Sequence, residues 1–185
     1  MQTFDHSAVS AAPPEEVWKL LYDPTQFPRW WAGTGSVETS GDVGDYTMYP
    51  EGYPDFPMPQ ALTTSRENGA VTISCLVSDL CFGWRLRPLG SGTEISVHVE
   101  IPDHEAHRLD AQREIIGQSV RKLAELAAVD RLLAPGAYGS SDPYFNNFKQ
   151  VACLVGSSGR GRERGSCDGR PRAYDPLSGI GGEGA

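Results

Sequence analysis

Alternation of apolar and polar residues is sharpest in the middle of the chain. Val71, Ile73, Cys75 and Val77 recur at every second position over 70–79. Phe82, Trp84 and Leu86 alternate with Gly83, Arg85 and Arg87, and Ile95, Val97, Val99 and Ile101 with Glu94, Ser96, His98 and Glu100. A period of two places each apolar set on one face of a strand. Asn68-Gly69 and Gly90-Ser-Gly92 supply turn chemistry, so the three segments predict successive antiparallel strands. Residues 3–11 predict a further strand, with Phe4, His6, Ala8 and Ser10 on one face. Segments 36–39, 44–49 and 60–67 carry weaker strand signals.

Helical spacing appears at both ends of this region. Pro13-Pro14 suits a helix start, where a missing N–H is harmless, and Glu15 and Glu16 complement the dipole of the first turn. Val17, Leu20 and Leu21 form the apolar stripe, and Pro24 ends the helix. A second short helix is predicted over 25–31, closed by Gly33. From 103 to 133 the period is again helical. Leu109, Ile116, Val120, Leu123 and Ala127 align on one face, and Asp110, Glu114, Arg121 and Glu125 face away. Such a helix is about 42 Å long at 1.5 Å per residue, enough to cross a small sheet. Pro135-Gly136 ends it.

Beyond 134 the chain is rich in Gly, Ser and Arg and loses its periodicity. The expected organisation is therefore one α+β domain over 1–133 and a disordered tail over 134–185. The net charge of −8 leaves no basic face over the first 130 residues, which argues against a nucleic-acid partner. No run of about 20 apolar residues is present, so no transmembrane segment is expected. The start lacks a basic region followed by an apolar run, so no signal peptide is expected. Cys75, Cys81, Cys153 and Cys167 lack zinc-site spacing; Cys75 and Cys81 fall in strand patterns and read as buried thiols, which fits a reducing cytoplasm, so a cytoplasmic protein is expected.

The order of elements, with Ala12-Pro-Pro-Glu-Glu-Val-Trp18 and Phe27-Pro-Arg-Trp-Trp31, closely resembles the START-like (SRPBCC) superfamily. The relatives in question are its polyketide cyclase/dehydrase and lipid-transport members. Phe82-Gly-Trp-Arg-Leu and Gly92-Thr-Glu-Ile match the same pattern. The resemblance covers about residues 1–133. It implies a helix-grip fold, in which an antiparallel sheet of six or seven strands wraps around the C-terminal helix. The tail has no counterpart in it. The superfamily holds carriers and enzymes alike, so the resemblance specifies fold more tightly than function.

Between sheet and helix such a fold leaves a cavity for a mostly apolar guest: a polyketide, a lipid or an isoprenoid. Cys75 and Trp84 from the sheet, and Leu109 and Ile116 from the helix, are the expected inward-facing residues. His6 is the one histidine on a predicted inner face, either an acid/base group or a satisfied structural histidine. Arg113 falls at an angular position on the apolar helix face. It would pair with a carboxylate or phenolate of a ligand, or instead run along the helix edge or pair with Glu105 or Asp110. Gln112 sits beside it as a hydrogen-bonding candidate.

Trp30, Trp31, Tyr49, Tyr53, Phe56 and Met58 could form an aromatic mouth, because pockets for apolar guests are lined this way; alternatively Trp30 anchors the second helix in the core and the Pro-rich loop packs on the sheet edge. Tyr46 and Tyr49 are the proton donors a cyclase or dehydratase would need. His98, His104 and His107 read as exposed, without the fixed third ligand of a metal site. No phosphate loop, nucleophile elbow or thiol pair is present, so neither cofactor nor metal is expected. Three functions follow: apolar-ligand binding, cyclase-type catalysis in the same cavity, or a protein-interaction module. Oligomeric state is not encoded in these patterns.

Overall fold

The computed structural model describes residues 1–39 and 44–133. The predicted tail lies outside the described residues. Seven strands form one antiparallel sheet: β1 (Gln2–Ser10), β2 (Thr34–Thr39), β3 (Asp45–Pro50), β4 (Met58–Ser65), β5 (Ala70–Cys75), β6 (Cys81–Leu89) and β7 (Gly92–Ile101). Their order is β1-β7-β6-β5-β4-β3-β2, so only the β1–β7 pairing joins strands distant in sequence. Helices α1 (Pro14–Tyr22) and α2 (Phe27–Trp30) follow β1, and α3 (Leu109–Leu133) closes the concave face. This is the helix-grip arrangement.

Local chemistry sets the boundaries. Pro14 and the acidic pair Glu15 and Glu16 open α1. Asp23 is held extended, as a residue before proline must be. Its carboxylate accepts hydrogen bonds from the Thr25 backbone N–H at 3.0 Å and hydroxyl at 2.7 Å, fixing a 3-10 turn over Pro24–Gln26. The Trp30 indole N–H then donates to the Leu20 carbonyl at 2.9 Å and ties α2 to the end of α1. Gly92 is obligatory for close packing: a Cβ there would stand 2.2 Å from the Ser10 carbonyl oxygen.

The core lies between sheet and α3. Trp30, Trp84, Phe27, Ile95, Ile116 and Leu123 are fully buried. Two buried hydroxyls fasten the layers. Ser10 donates to the Ala124 carbonyl at 2.7 Å, and Ser119 accepts from the Ala32 N–H at 3.0 Å. Each spans elements far apart in sequence, so helix position and sheet curvature are fixed together.

Several expectations change. Strand β5 stops at Cys75, and Val77 lies exposed in the following turn. That turn closes with Cys75 N–H donating to Leu80 O at 2.8 Å, and it places Asp79 at φ 53°, so alternation cannot continue through it. The predicted helix start at 103 is a 3-10 segment, Asp103–Arg108, and regular α3 begins at Leu109. Cys75 is a free, buried thiol; Cys81 is buried but is not a free thiol. Among the described residues, no helix is long and apolar enough to cross a membrane.

Candidate functional site

A cavity of about 140 Å³ lies where the β2–β6 side of the sheet meets the start of α3. Its apolar wall is Trp31, Met48, Met58, Leu80 and Phe82, with Ala32 and Pro50 beside them. The Trp31 and Phe82 rings meet edge to face with centroids 5.1 Å apart. Cys75, Ser78 and Gln60 supply the floor, and Arg108, Gln112 and Ile115 form the helical wall. Exposed Gly33 and half-exposed Arg108 mark the side open to solvent.

Strand register explains the floor. Tyr46 pairs with Gln60, and Gln60 pairs with Cys75, so the three form one cross-strand row on the inner face of β3, β4 and β5. The Gln60 amide donates to the Met58 carbonyl at 3.2 Å. Thr34, at the end of the wall, donates its hydroxyl to the Met48 sulfur at 3.3 Å. The Tyr46 hydroxyl, the Ser78 hydroxyl and the Trp84 indole N–H are buried without a hydrogen-bond partner among the described residues. Burial pushes the Tyr46 pKa well above the ordinary phenol range, and the neighbouring Cys75 adds to the shift. Tyr46 therefore keeps its proton at neutral pH.

Four sequence-predicted residues line this cavity: Trp31, Met58, Cys75 and Gln112. Tyr46 sits behind the floor, its ring edge-on to Phe27 at 5.4 Å. Trp84 and Ile116 are fully buried in the core away from the cavity wall, and Leu109 is packed against that core. His6 is half-buried, edge-on to Phe4 at 5.7 Å, with its ring against Gly117 of α3. The cavity opens at the other end of the sheet from β1, so His6 does not reach it.

Arg113 is not on the buried face. It is exposed, and its guanidinium carbon stands 5.7 Å from the Phe4 ring centre. The buried stripe of α3 runs through Gln112, Ile116, Ser119, Val120 and Leu123, which leaves Arg113 at its edge. The aromatic mouth does not form either. Tight turns from Pro50 to Tyr53 and from Tyr53 to Phe56 carry both rings outward, at 69% and 56% exposure. Tyr49 points away from the cavity and donates to Glu38 at 2.9 Å; this hydrogen bond, with some burial and the Glu38 charge, raises its pKa.

Sequence reasoning missed Gln60, Ser78, Arg108 and Ile115 as wall residues. Arg108 and Ile115 were within reach of it. They stand four residues before and three after Gln112, the spacing of one helical face. Gln60 and Ser78 needed the strand register and the turn at Asp79. Among the described residues, no group of three or more His, Cys, Asp or Glu side chains is placed to hold a metal ion.

The family model described as polyketide cyclase / dehydrase and lipid transport matches residues 1–129, and the chain belongs to that family. Solved structures share its fold at low identity. The Zhui aromatase/cyclase from Streptomyces sp. R1128 is 15% identical, with a TM-score of 0.60, over 72% of this chain and 96% of that one. XoxI from Bacillus cereus is 18% identical, with a TM-score of 0.57, over 71% and 99%. The di-domain aromatase/cyclase BexL of the BE-7585A biosynthetic pathway is 13% identical, with a TM-score of 0.60. The match there covers 73% of this chain and 48% of BexL, about half of the larger protein. No curated protein matches the chain by sequence.

Proposed function

We propose that residues 1–133 form a binding domain that takes a mostly apolar small molecule into the cavity between β2–β6 and α3. The observation that carries this reading is a preformed space of about 140 Å³ bounded by Trp31, Met48, Met58, Leu80 and Phe82. An apolar cavity of about 150 Å³ is large enough to hold a benzene ring. The space therefore suits one ring or a short branched chain. A longer polyketide or lipid would extend through the opening at Gly33 and Arg108.

Binding is favoured over proton-transfer chemistry by the composition of the wall. Among the described residues it contains no carboxylate and no imidazole, and its titratable side chains are Cys75 and Arg108. Cyclase-type catalysis is the second reading, supported by the family and by the protonated Tyr46 hydroxyl beside the floor.

Thermal unfolding with single-ring aromatic guests tests the proposal. At a hundredfold excess over Kd a guest should stabilise the fold by about 2.7 kcal/mol. Ser78→Leu, which fills the floor, should unfold cooperatively but lose that response. An equal response in the filled variant would place the guest elsewhere.

A further inference from the structure

Arg108, Gln112 and Ile115 form the helical wall of the cavity, and the first two give it an uneven polarity. Gln112 is only 8% exposed, yet its amide makes no hydrogen bond to any described residue. An amide that lines the cavity in that state keeps its donors and acceptor open to a guest. Arg108 stands one helical turn earlier, at the opening. One of its terminal nitrogens meets one Glu105 oxygen at 3.4 Å, a long, single-point contact. A guanidinium has five N–H donors, so most remain for another acceptor. Glu105 is shared in turn with His107, 4.0 Å away. With a net charge of −8 the chain repels anions at long range, so any preference for one must arise locally.

We propose that this wall selects a single-ring aromatic carboxylic acid. The ring occupies the apolar end against Trp31 and Phe82. The carboxylate lies across Arg108 and the Gln112 amide, accepting a charge-assisted hydrogen bond from the guanidinium and a second one from the amide N–H. Glu105 is the built-in competitor for Arg108 and sets how tightly the acid is held. This rests on the binding role proposed above and narrows it to an anionic guest.

Calorimetric titration of the full-length chain with benzoate and with benzamide, its neutral counterpart of the same shape, tests the proposal. Arg108→Gln should weaken benzoate about tenfold or more, the scale of a lost charged hydrogen bond, and leave benzamide within about twofold. Glu105→Gln should strengthen benzoate about threefold and leave benzamide unchanged. The unchanged benzamide affinity shows that both variants are folded. If Arg108→Gln shifts both guests equally, or neither, the anionic preference is overturned, while benzamide binding still supports the apolar-guest role. If Glu105→Gln leaves benzoate unchanged, the competition is overturned. If the wild-type chain binds neither compound, both proposals fall together.

Discussion

The rings of Trp31 and Phe82 meet edge to face at 5.1 Å, and both belong to the cavity wall. Trp31 also contacts Trp30, Phe27 and Trp84, with centroids 5.5, 5.6 and 5.9 Å away. One side chain thus joins the cavity to the aromatic core that seats α2 on the sheet. Trp31→Ala should lower stability by about 3–5 kcal/mol in urea unfolding, the range for deleting a large buried aromatic. A loss below about 1 kcal/mol would mean that the wall is not held by this cluster.

Tyr46 should give the fold a measurable alkaline weakness. Burial raises its pKa above the ordinary 10.0, so the folded state holds the proton more tightly than the unfolded chain. The resulting stabilisation is fully present below pH 10 and declines as pH rises beyond it, by up to about 1.4 kcal/mol per pH unit. Tyr49 is shifted in the same direction but is solvent-facing and screened. Tyr46→Phe should flatten the decline between pH 10 and 11 while leaving neutral-pH stability equal or slightly higher, because the lost hydroxyl has no partner among the described residues. An unchanged pH slope in the variant would contradict the burial of this group.

Gly117 lies within α3, where alanine would ordinarily gain about 1 kcal/mol. A Cβ at this position would stand 3.2 Å from His6 Cε1. Gly117→Ala should therefore be neutral or destabilising in the native sequence and stabilising by about 1 kcal/mol in a His6→Ala background. A double-mutant cycle measured by chemical denaturation reads this directly; additive effects would show that the histidine does not touch the helix.

Arg113 lies outside the cavity, over the Phe4 ring. Arg113→Leu should change the affinity of any cavity guest by less than about twofold and stability by under about 1 kcal/mol, as for an exposed cation–π contact. A tenfold loss of affinity in titration would return this residue to the binding site.

How much of this was legible in sequence follows from which interactions are local. Elements with their own periodicity and punctuation were readable: α1 behind Pro13-Pro14, β6 and β7 with strict alternation, and α3 with its apolar stripe. The extent of β5 was not, because the turn at Asp79 ends it while apolar residues continue to Val77. The site was legible only in part. Trp31 and Met58 could be named from aromatic and sulfur-bearing segments, and Cys75 from alternation. Gln60 reaches the floor only because β4 pairs with β5 in one register, which no short-range pattern specifies. Arg113 was misplaced through a small angular error. One residue along, at Gln112, the side chain faces the cavity; at Arg113 it meets solvent.

The central claim, an internal site for a mostly apolar small molecule, is tested most directly by native mass spectrometry of the full-length protein purified from its producing cell. A non-covalent adduct of small mass is expected, present in the wild-type chain and absent from Ser78→Leu. A bare polypeptide mass under conditions gentle enough to preserve a known weak complex, or an adduct equally retained by the filled variant, would contradict it.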